Sequence, residues 1–470
     1  MKADLICGLT DWSRDCERKI PRGTAAAKNM NGVSPDEMGL YLDSRGNYHT
    51  SGTVGAGWLK DYAGKPVVDP KSGNRKAVLI TPRFQLSPWD MLVKVMNDPE
   101  YELYTSGGDG EFFQVKTGED LIPVNAAENG GEILAAVSCI KECEMVCRKF
   151  IRRRMDFEEA NLNGRIVGNI KVSEHIRRNL AQGREDRVYC RYPVFTVDTT
   201  GNRIMKAALK KSKRILRENG IAMQEISRLS RYCENVLKDV RTVSVARSDF
   251  AKVNLTGFDS CYKKVMALAK TVLSGAGTGD LYHDEAEGVR YVVPYTINME
   301  RLFEFYVRSS IKEYLKKTPG TEIFLDPYRT PRNNPLLTLK DQDPQAYLMK
   351  NYIPDIALKK RRGGEERYVA VFDVKYQNST SDVCAQTRRQ NSHQLLFYAL
   401  LLNVKKCGFI FPGKKTEKQD GKRMEIRELN IQPGDAMDRE RREYSQWVVE
   451  LSPSRETKFA ERILDYVQKS

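Results

Sequence analysis

The sequence is poor in the residues that build disulfide frameworks and membrane spans. Its ten cysteines are scattered over 470 residues, which predicts reduced thiols and not a disulfide framework. The longest strongly apolar run, residues 395–402, is far shorter than the roughly 20 residues that cross a bilayer. The first fifteen residues carry acids where a signal peptide needs an uninterrupted apolar stretch. These absences exclude an integral membrane protein, and we expect a soluble cytoplasmic protein with no membrane partner.

Motifs of several common enzyme classes are also missing. The histidines show no paired metal-ligand spacing, and no serine-nucleophile motif is present. The glycine-rich stretch at residues 274–279 lacks the Lys-Ser/Thr ending of a phosphate-binding loop and follows no apolar strand. The four histidines are His49, His175, His283 and His393. The sequence therefore gives no sign of a histidine metal site, a serine hydrolase or a nucleotide-driven motor.

What the sequence has in excess is positive charge. The formal net charge is +15 at pH 7 and the pI is near 9.2, which favours a polyanionic partner such as nucleic acid. One basic cluster lies at the end of a predicted helix and is a candidate DNA-binding surface, with a solvated helix face as an equal alternative. Its members are Arg148, Lys149, Arg152, Arg153 and Arg154.

Hydrophobic patterning predicts three regions. Residues 1–130 combine many Gly, Pro, Asp and Asn with short apolar bursts, which predicts a β-rich N-terminal domain. Residues 131–290 are predicted to be mainly helical, because apolar residues recur at three- and four-residue spacing. The predicted helices of this middle region are residues 131–157, 204–216, 221–240 and 262–273.

Residues 291–470 show the mixed order of an α/β domain. The predicted order is helix, strand, strand, helix, strand, with a turn at residues 359–364 between the first two strands. The helices are residues 298–317 and 392–403, and the strands are residues 352–358, 368–376 and 407–411. This layout sets the context for the chemistry.

Two acids and a lysine are predicted to meet on the first two strands. Asp355 is placed in the first strand, and Asp373 and Lys375 lie near the end of the second, eighteen residues later. Residues two apart in a strand point to the same face, and a short hairpin would bring Asp355 alongside. Two carboxylates on adjacent strands suit Mg²⁺, and the lysine could orient or deprotonate an attacking water. We call Asp355, Asp373 and Lys375 the motif trio.

Three further residues are candidates for the same site. Gln394 and Tyr398 are four apart on the following predicted helix and share one face, where they could hydrogen-bond metal-bound waters or a DNA backbone. Glu304 lies one turn after Glu300 on the preceding helix and could hold a metal or order a water.

Structural alternatives stand beside each of these interpretations. An Asp and a Lys at a strand end often form only a surface ion pair, worth at most about 1 kcal/mol. The joint occurrence of the trio in the right order, with apolar neighbours around Asp373, favours the catalytic interpretation. Cys139, Cys143 and Cys147 lie at four-residue steps, and plain helix packing explains them better than a metal site.

Taken together, these motifs resemble the McrC family, the nuclease subunits of McrBC-type systems that restrict 5-methylcytosine-containing DNA. The similarity runs from about residue 155 to 415. The matching segments are LNGRI at 162–166, DTTGNRIMKAA at 198–208, INMERLFE at 297–304, YIPD at 352–355, VFDVKY at 371–376 and QLLFY at 394–398.

The resemblance implies a restriction-endonuclease-like PD-(D/E)xK core that cleaves DNA with Mg²⁺. The implied catalytic residues are the motif trio with Glu304, Gln394 and Tyr398, and the implied metal ligands are Asp355, Asp373 and Glu304. It also implies a separate McrB-like AAA+ GTPase hexamer that recognises modified DNA, which the N-terminal region would contact, and we place that contact in residues 40–130. Because two cuts in a duplex need two active sites, pairing of nuclease subunits on DNA is expected as well.

Two other functions fit the same residues. One is a stand-alone PD-(D/E)xK nuclease in DNA repair or recombination, which would cut without a partner. The other is a non-catalytic DNA-binding GTPase activator built on a decayed nuclease fold, although every acidic and basic position of the motif is filled.

Overall fold

The computed structural model describes most of the chain in separate ranges. These are residues 3–13, 16, 19–28, 38–84, 87–101, 104, 112–124, 130–221, 224–274, 290–318, 320–329, 337–338, 351–377, 385–413, 443–449 and 458–468. The chain divides into two units: unit 1 comprises residues 1–114 and 294–470, and unit 2 comprises residues 115–293.

Strands and helices are numbered here in chain order. The strands are β1 (Ala3–Thr10), β2 (Ala27–Lys28), β3 (Leu40–Leu42), β4 (Tyr48–Thr50), β5 (Thr53–Trp58), β6 (Arg75–Thr81), β7 (Phe113–Val115), β8 (Ile122–Val124), β9 (Arg154–Asn163), β10 (Asn169–Ile170), β11 (Arg187–Thr196), β12 (Arg290–Val292), β13 (Tyr295–Asn298), β14 (Ile323–Leu325), β15 (Leu337–Thr338), β16 (Asn351–Tyr352), β17 (Ile356–Arg362), β18 (Glu365–Val374), β19 (Lys406–Pro412) and β20 (Glu443–Val449). The α-helices are α1 (Pro88–Met96), α2 (Gly130–Lys149), α3 (Val172–Arg178), α4 (Thr200–Glu218), α5 (Gln224–Val236), α6 (Arg247–Ala251), α7 (Tyr262–Ser274), α8 (Met299–Lys317), α9 (Ala385–Leu401) and α10 (Lys458–Gln468).

The first sheet of unit 1 joins its two sequence segments, residues 1–114 and 294–470. Its strand order is β1-β6-β5-β13-β7, and β13 pairs antiparallel with β5 although more than two hundred residues separate them. Gly55 makes this pairing close, because a Cβ at this position would lie 2.1 Å from the Tyr295 carbonyl oxygen. The sequence predicted separate first and third regions, whereas this pairing places both in one unit.

The N-terminal region contains the short strands that its composition predicted, together with one helix that was not predicted. Helix α1 begins after Ser87, whose side chain accepts a hydrogen bond from the Asp90 amide, and has proline in its first turn. Its buried side chains are Met91, Leu92, Val95 and Met96. The helix was missed because turn-forming residues surround its nine residues.

The second sheet of unit 1 carries the motif trio. Its order is β14-β17-β18-β19-β20; β17 and β18 are antiparallel, whereas β18, β19 and β20 run parallel. The turn between β17 and β18 is formed by Gly363 and Gly364, whose φ angles of 60° and 92° favour glycine. The predicted turn at 359–364 is therefore too long, because two glycines suffice and residues 359–362 continue the strand. The predicted mixed α/β character is confirmed.

Unit 2 contains the predicted helices but also a sheet that the sequence did not predict. Helices α4, α5 and α7 match the predicted segments 204–216, 221–240 and 262–273 within a few residues. The prediction of a helix through residue 157 was wrong, because α2 ends at Lys149 and β9 begins at Arg154. Strands β10, β11 and β9 form a three-stranded sheet. Its strands were missed because none of the residues of β9 is buried, so no apolar alternation marks a core-facing side.

Among the described helices, none combines the length and apolar character that crossing a membrane requires.

Candidate active site

The hairpin of β17 and β18 brings the motif trio together. Ile356 pairs with Phe372, so Asp355, immediately before β17, lies beside Asp373. The Val374 amide donates a hydrogen bond of 2.7 Å to Asp355 Oδ2, and Lys375 Nζ lies 2.9 Å from Asp373 Oδ2. The prediction that Asp355 lies within the first strand was wrong by one position, since the strand begins at Ile356. This position lets its carboxylate turn back to the Val374 amide.

Parallel pairing with β19 holds the end of β18 in place. The Lys375 amide donates a 2.9 Å hydrogen bond to the Ile410 carbonyl, one residue beyond the last residue of β18. Phe372 is fully buried and Val374 is 8% exposed. The backbone that carries Asp373 and Lys375 is therefore fixed by a core strand on one side and by the hairpin on the other.

Burial and crowding of negative charge dominate the electrostatics of the site. Asp373 is 1% exposed, and burial followed by the charge of Asp355 raises its pKa to about 7. Burial also raises the pKa of Asp355. Burial alone would lower the pKa of Lys375, but the charges of Asp373 and Asp355 outweigh it and raise that pKa. The site is an acidic pocket in which a cation is needed.

Glu304 belongs to the same pocket. It lies on α8, and removal from water followed by the charge of Asp355 raises its pKa to about 8. The charge of Lys375 acts in the opposite direction on the same group. These interactions place Glu304 within electrostatic reach of the motif trio, as predicted from its position on the preceding helix.

The donor set of the pocket suits a hard divalent cation. Both carboxylate oxygens of Asp373 are buried, and Oδ1 has no hydrogen-bond donor among the described residues; a buried carboxylate oxygen in that condition needs a counter-charge. Within the described residues, no three His, Cys, Asp or Glu side chains form a ready-made metal cage. A pair of carboxylates without a full cage is the donor set that Mg²⁺ takes, because this ion retains several waters.

Gln394 and Tyr398 lie on α9, as the four-residue spacing predicted. The Tyr398 hydroxyl donates a 2.9 Å hydrogen bond to the Ile353 carbonyl, two residues before Asp355. The Gln394 side chain is exposed, and its amide lies 3.4 Å from that hydroxyl. Burial, opposed by the hydrogen bond from Gln394, raises the pKa of Tyr398, and the charges of Asp355 and Asp373 add to the rise. In this structure Tyr398 holds the loop that presents Asp355.

Sequence reasoning missed Arg308, which supports the same loop from the other side. Its side chain is 3% exposed, and Nη1 donates a 3.4 Å hydrogen bond to the Asp355 carbonyl. Nη2 donates to the Asp326 carbonyl. Arg308 lies one turn after Glu304 on α8, so its helical spacing from a candidate acid was the available signal.

The residues of the predicted basic cluster lie on α2, on β9 and between them. Arg148 lies in the last turn of α2 and pairs with Glu144, whereas Arg154 belongs to β9 and pairs with Asp156. Arg152 pairs with Asp259. Lys149 and Arg153 are exposed. Arg152, Arg154 and Lys252 line a cavity of about 210 Å³ at the start of α4.

Of the other candidates, the three cysteines of α2 are buried. Cys143 lies against Cys139, and Cys147 against Cys233 of α5, in keeping with the packing interpretation. His283 and residues 275–279 of the glycine-rich stretch lie outside the described residues.

Comparisons with known proteins place the chain among restriction-system proteins. A family model described as McrBC 5-methylcytosine restriction system component matches residues 133–412. No curated protein matches the chain.

Two solved structures are similar at low identity. One is a half-complex of a tetradecameric assembly of Thermococcus gammatolerans McrB AAA+ hexamers with bound McrC, at 13% identity and a TM-score of 0.40, covering 99% of this chain and 100% of that one. The other is the Thermococcus gammatolerans McrBC complex, at 12% identity and a TM-score of 0.29, covering 67% of this chain and 88% of that one.

Proposed function

Because the chain belongs to the family of McrBC 5-methylcytosine restriction system components, we propose that it is the DNA-cleaving subunit of such a system. Its reaction would be Mg²⁺-dependent hydrolysis of DNA phosphodiester bonds by a PD-(D/E)xK nuclease centre. The motif trio, gathered at one end of β17 and β18 beside Glu304, is the observation that carries the proposal.

The sheet around the trio supports a PD-(D/E)xK core. The sheet is mixed: the antiparallel hairpin of β17 and β18 is followed by parallel strands. Asp355, Asp373 and Lys375 lie where β17 begins and β18 ends, at the same end of these two strands. Helix α8 lies before the hairpin and α9 after it, and each contributes a polar side chain to that end, Glu304 and Tyr398. The sequence predicted α8, β17, β18, α9 and β19 in this order, but it did not predict β14 between α8 and the hairpin or β20 after β19.

Each residue of the site has a defined task in this reaction. Asp355 and Asp373 would hold Mg²⁺, with Glu304 holding a second metal or ordering a metal-bound water, and Mg²⁺ when bound supplies Lewis-acid polarisation of the scissile phosphate. Lys375 orients the attacking water and offsets the negative charge that develops on the phosphate oxygens. Tyr398 and Arg308 hold the backbone around Asp355, so the carboxylates meet the substrate already in position.

We further propose that a separate McrB-like AAA+ GTPase hexamer recognises the modified DNA and activates cleavage. The sequence contains no phosphate-binding loop of its own, so nucleotide hydrolysis has to come from another chain. The net charge of +15 fits binding of DNA. Pairing of two nuclease subunits on DNA remains a prediction.

The sheet of β9, β10 and β11 offers a surface for that partner. We call residues 154–196 the ribbon arm. On one face Met155 pairs with Phe195 and Phe157 with Pro193, and Phe195 is 76% exposed. Exposed apolar side chains concentrate in this segment: Met155, Phe157, Ile166, Val167, Ile170, Val172, Ile176, Leu180 and Phe195. A concentration of exposed apolar side chains in one segment is typical of an interaction site. The contact at residues 40–130 remains a second prediction.

The test is cleavage of methylated and unmethylated plasmid with Mg²⁺. Wild type, Lys375→Ala and the control Lys360→Ala are each assayed with and without the AAA+ protein and GTP. We expect Lys375→Ala to lower the cleavage rate about a thousandfold. Lys360→Ala should cut like wild type, because Lys360 lies on the same hairpin, outside the motif trio, and forms an ion pair with the exposed Glu322.

Each outcome of this assay separates the candidate functions. Cutting that requires the partner, GTP and Lys375 supports the restriction subunit. Cutting by the chain without the partner would identify a stand-alone repair nuclease. Bound DNA with no cutting in any mixture would identify a non-catalytic GTPase activator, and cutting by Lys375→Ala would move the active site elsewhere.

A further inference from the structure

Arg83 connects the N-terminal sheet to the segment that carries Lys375. It lies two residues after β6 ends at Thr81. Its Nη2 donates a 2.7 Å hydrogen bond to the carbonyl oxygen of Tyr376, across 293 residues of sequence. Tyr376 directly follows Lys375, so this bond fixes the peptide group between Tyr376 and Gln377, the second one beyond the lysine.

Arg83 is itself held by a buried acid. The Arg83 amide donates to Asp11 Oδ1, and Arg83 Nε lies 3.9 Å from Asp11 Oδ2. The Asp11 side chain is fully buried, and the Asp11 amide donates a 3.0 Å bond to the Thr81 carbonyl. A buried carboxylate that keeps its charge needs a cationic partner. Asp11 therefore fixes the backbone of Arg83 and lies at ion-pair distance from its side chain.

Three aromatic rings surround the Arg83 guanidinium. Its carbon lies 4.7 Å from the ring centre of Phe84, 5.6 Å from that of Tyr376 and 5.9 Å from that of Trp12. Such contacts of a partly desolvated guanidinium with aromatic faces are attractive. These contacts restrict the Arg83 side chain to an orientation in which it points at the Tyr376 carbonyl.

Trp12 is held in an unusual backbone conformation beside this cluster. Its φ angle is +54°, which is rare for a bulky residue, and its amide donates a 3.0 Å bond to the Ser51 carbonyl. A Cβ on Gly52 would lie 3.0 Å from both Trp12 Nε1 and Glu300 Cγ. Strain of this kind persists where the surrounding structure enforces it, and it clusters at functional sites. The N-terminal sheet thus packs tightly against α8, one turn before Glu304.

We propose that Arg83 is a positioning residue of the nuclease centre, supplied by the N-terminal sheet. It anchors the Tyr376 carbonyl while the Lys375 amide is anchored to Ile410, so the backbone of Lys375 is held on both sides. This fixes the Lys375 ammonium beside Asp373. The inference rests on the proposed nuclease function, and it assigns residues 1–114 a part in catalysis that the sequence did not suggest.

The test compares Arg83→Gln, Arg83→Lys and the control Arg75→Gln. Arg75 lies on β6 of the same sheet and stacks at 4.2 Å on Trp58, so its loss imposes a similar change within the sheet. We measure kcat and KM for DNA with partner, GTP and Mg²⁺. Hydrogen exchange of the peptides 371–377 and 187–196 is followed in the same full-length proteins.

We expect Arg83→Gln to lower kcat about a hundredfold with KM for DNA unchanged, because small displacements of a catalytic group cost this much. Arg83→Lys should recover part of the loss, since an ammonium can still donate to a carbonyl. Exchange in 371–377 should become about tenfold faster in Arg83→Gln and stay unchanged in 187–196, and Arg75→Gln should resemble wild type in every measurement.

Several results would overturn the inference. These are an unchanged kcat in Arg83→Gln, an equal loss in Arg75→Gln, or faster exchange in both peptides, which would show general loosening of the fold. Failure of wild type to cut would instead contradict the proposed function. Unchanged exchange of 371–377 in Arg83→Gln would contradict the positioning role even then, so the two failures are distinguishable.

Discussion

The hairpin β17–β18 and the ribbon arm are built from the same kind of element and have opposite environments. Strands β18 and β9 each have ten residues and each pairs antiparallel. The last five residues of β18 are buried, whereas no residue of β9 is. Burial fixes the strand register of the first hairpin and shifts the pKa values of its carboxylates, and a catalytic site depends on both. Exposure leaves the second with apolar side chains that only a partner can cover.

The largest effect is expected on the exposed apolar face of the ribbon arm, at the end where β9 begins and β11 ends. We expect the double variant Phe157→Ser/Phe195→Ser to raise the Kd for the AAA+ ring about a thousandfold, because exposed aromatic residues at interfaces are frequent hot spots. The free energy of unfolding should change by less than about 1 kcal/mol, since both side chains are exposed in the free chain. Binding is measured by titration, and stability by denaturant unfolding.

Tyr62→Ser is the matched control for this variant. Tyr62 is 60% exposed and lies within residues 40–130, where the sequence placed the partner contact. Loss of binding in Tyr62→Ser with normal binding of the arm variant would assign the interface to the N-terminal region.

The raised pKa values of the carboxylates at the buried hairpin can be tested through the pH dependence of stability. The folded-state pKa values of Asp373 and Glu304 are raised to about 7 and about 8. The folded state therefore binds more protons than the unfolded state between about pH 4 and pH 8. Without Mg²⁺ we expect the free energy of unfolding to fall by several kcal/mol as pH rises through this window.

Mg²⁺ should reverse this loss most strongly at pH 8, where the carboxylates are free of protons. Asp373→Asn should flatten the pH dependence and remove most of the stabilisation by Mg²⁺. The measurement is denaturant unfolding at pH 5, 6, 7 and 8 with and without Mg²⁺. Stability that rises with pH in the metal-free protein would contradict the assigned acidic pocket.

A smaller effect is expected from the support of the Asp355 loop. Tyr398→Phe removes the hydrogen bond to the Ile353 carbonyl and should lower kcat about tenfold, corresponding to roughly 1.4 kcal/mol. Gln394→Ala should change kcat less, because the Gln394 side chain is exposed and makes the longer contact. An equal or larger loss in Gln394→Ala would show that Gln394 acts on the substrate directly.

Much of the nuclease half was predictable because its signals are local. Alternating or continuous apolar residues identified β17, β18 and β19, and four-residue spacing placed Gln394 and Tyr398 on one helix. Asp373 and Lys375 share a face of one strand in any fold that forms it. The errors were boundaries, such as the turn reduced to Gly363 and Gly364, and missed elements, namely β14, β20 and α10.

The remaining features depend on contacts between segments that are far apart in sequence. A short stretch of sequence gives no information on such contacts. Arg83 reaches Tyr376 only because β13 closes the N-terminal sheet onto the C-terminal half of the chain. Arg308 likewise supports Asp355 across 47 residues. The exposure of the ribbon arm could not be foreseen either, because apolar residues in a strand indicate a buried face unless the surrounding chain leaves that face uncovered. Local sequence patterns thus identified the candidate catalytic residues. Long-range packing determined their pKa values, the hydrogen bonds that hold them and the apolar surface that stays exposed.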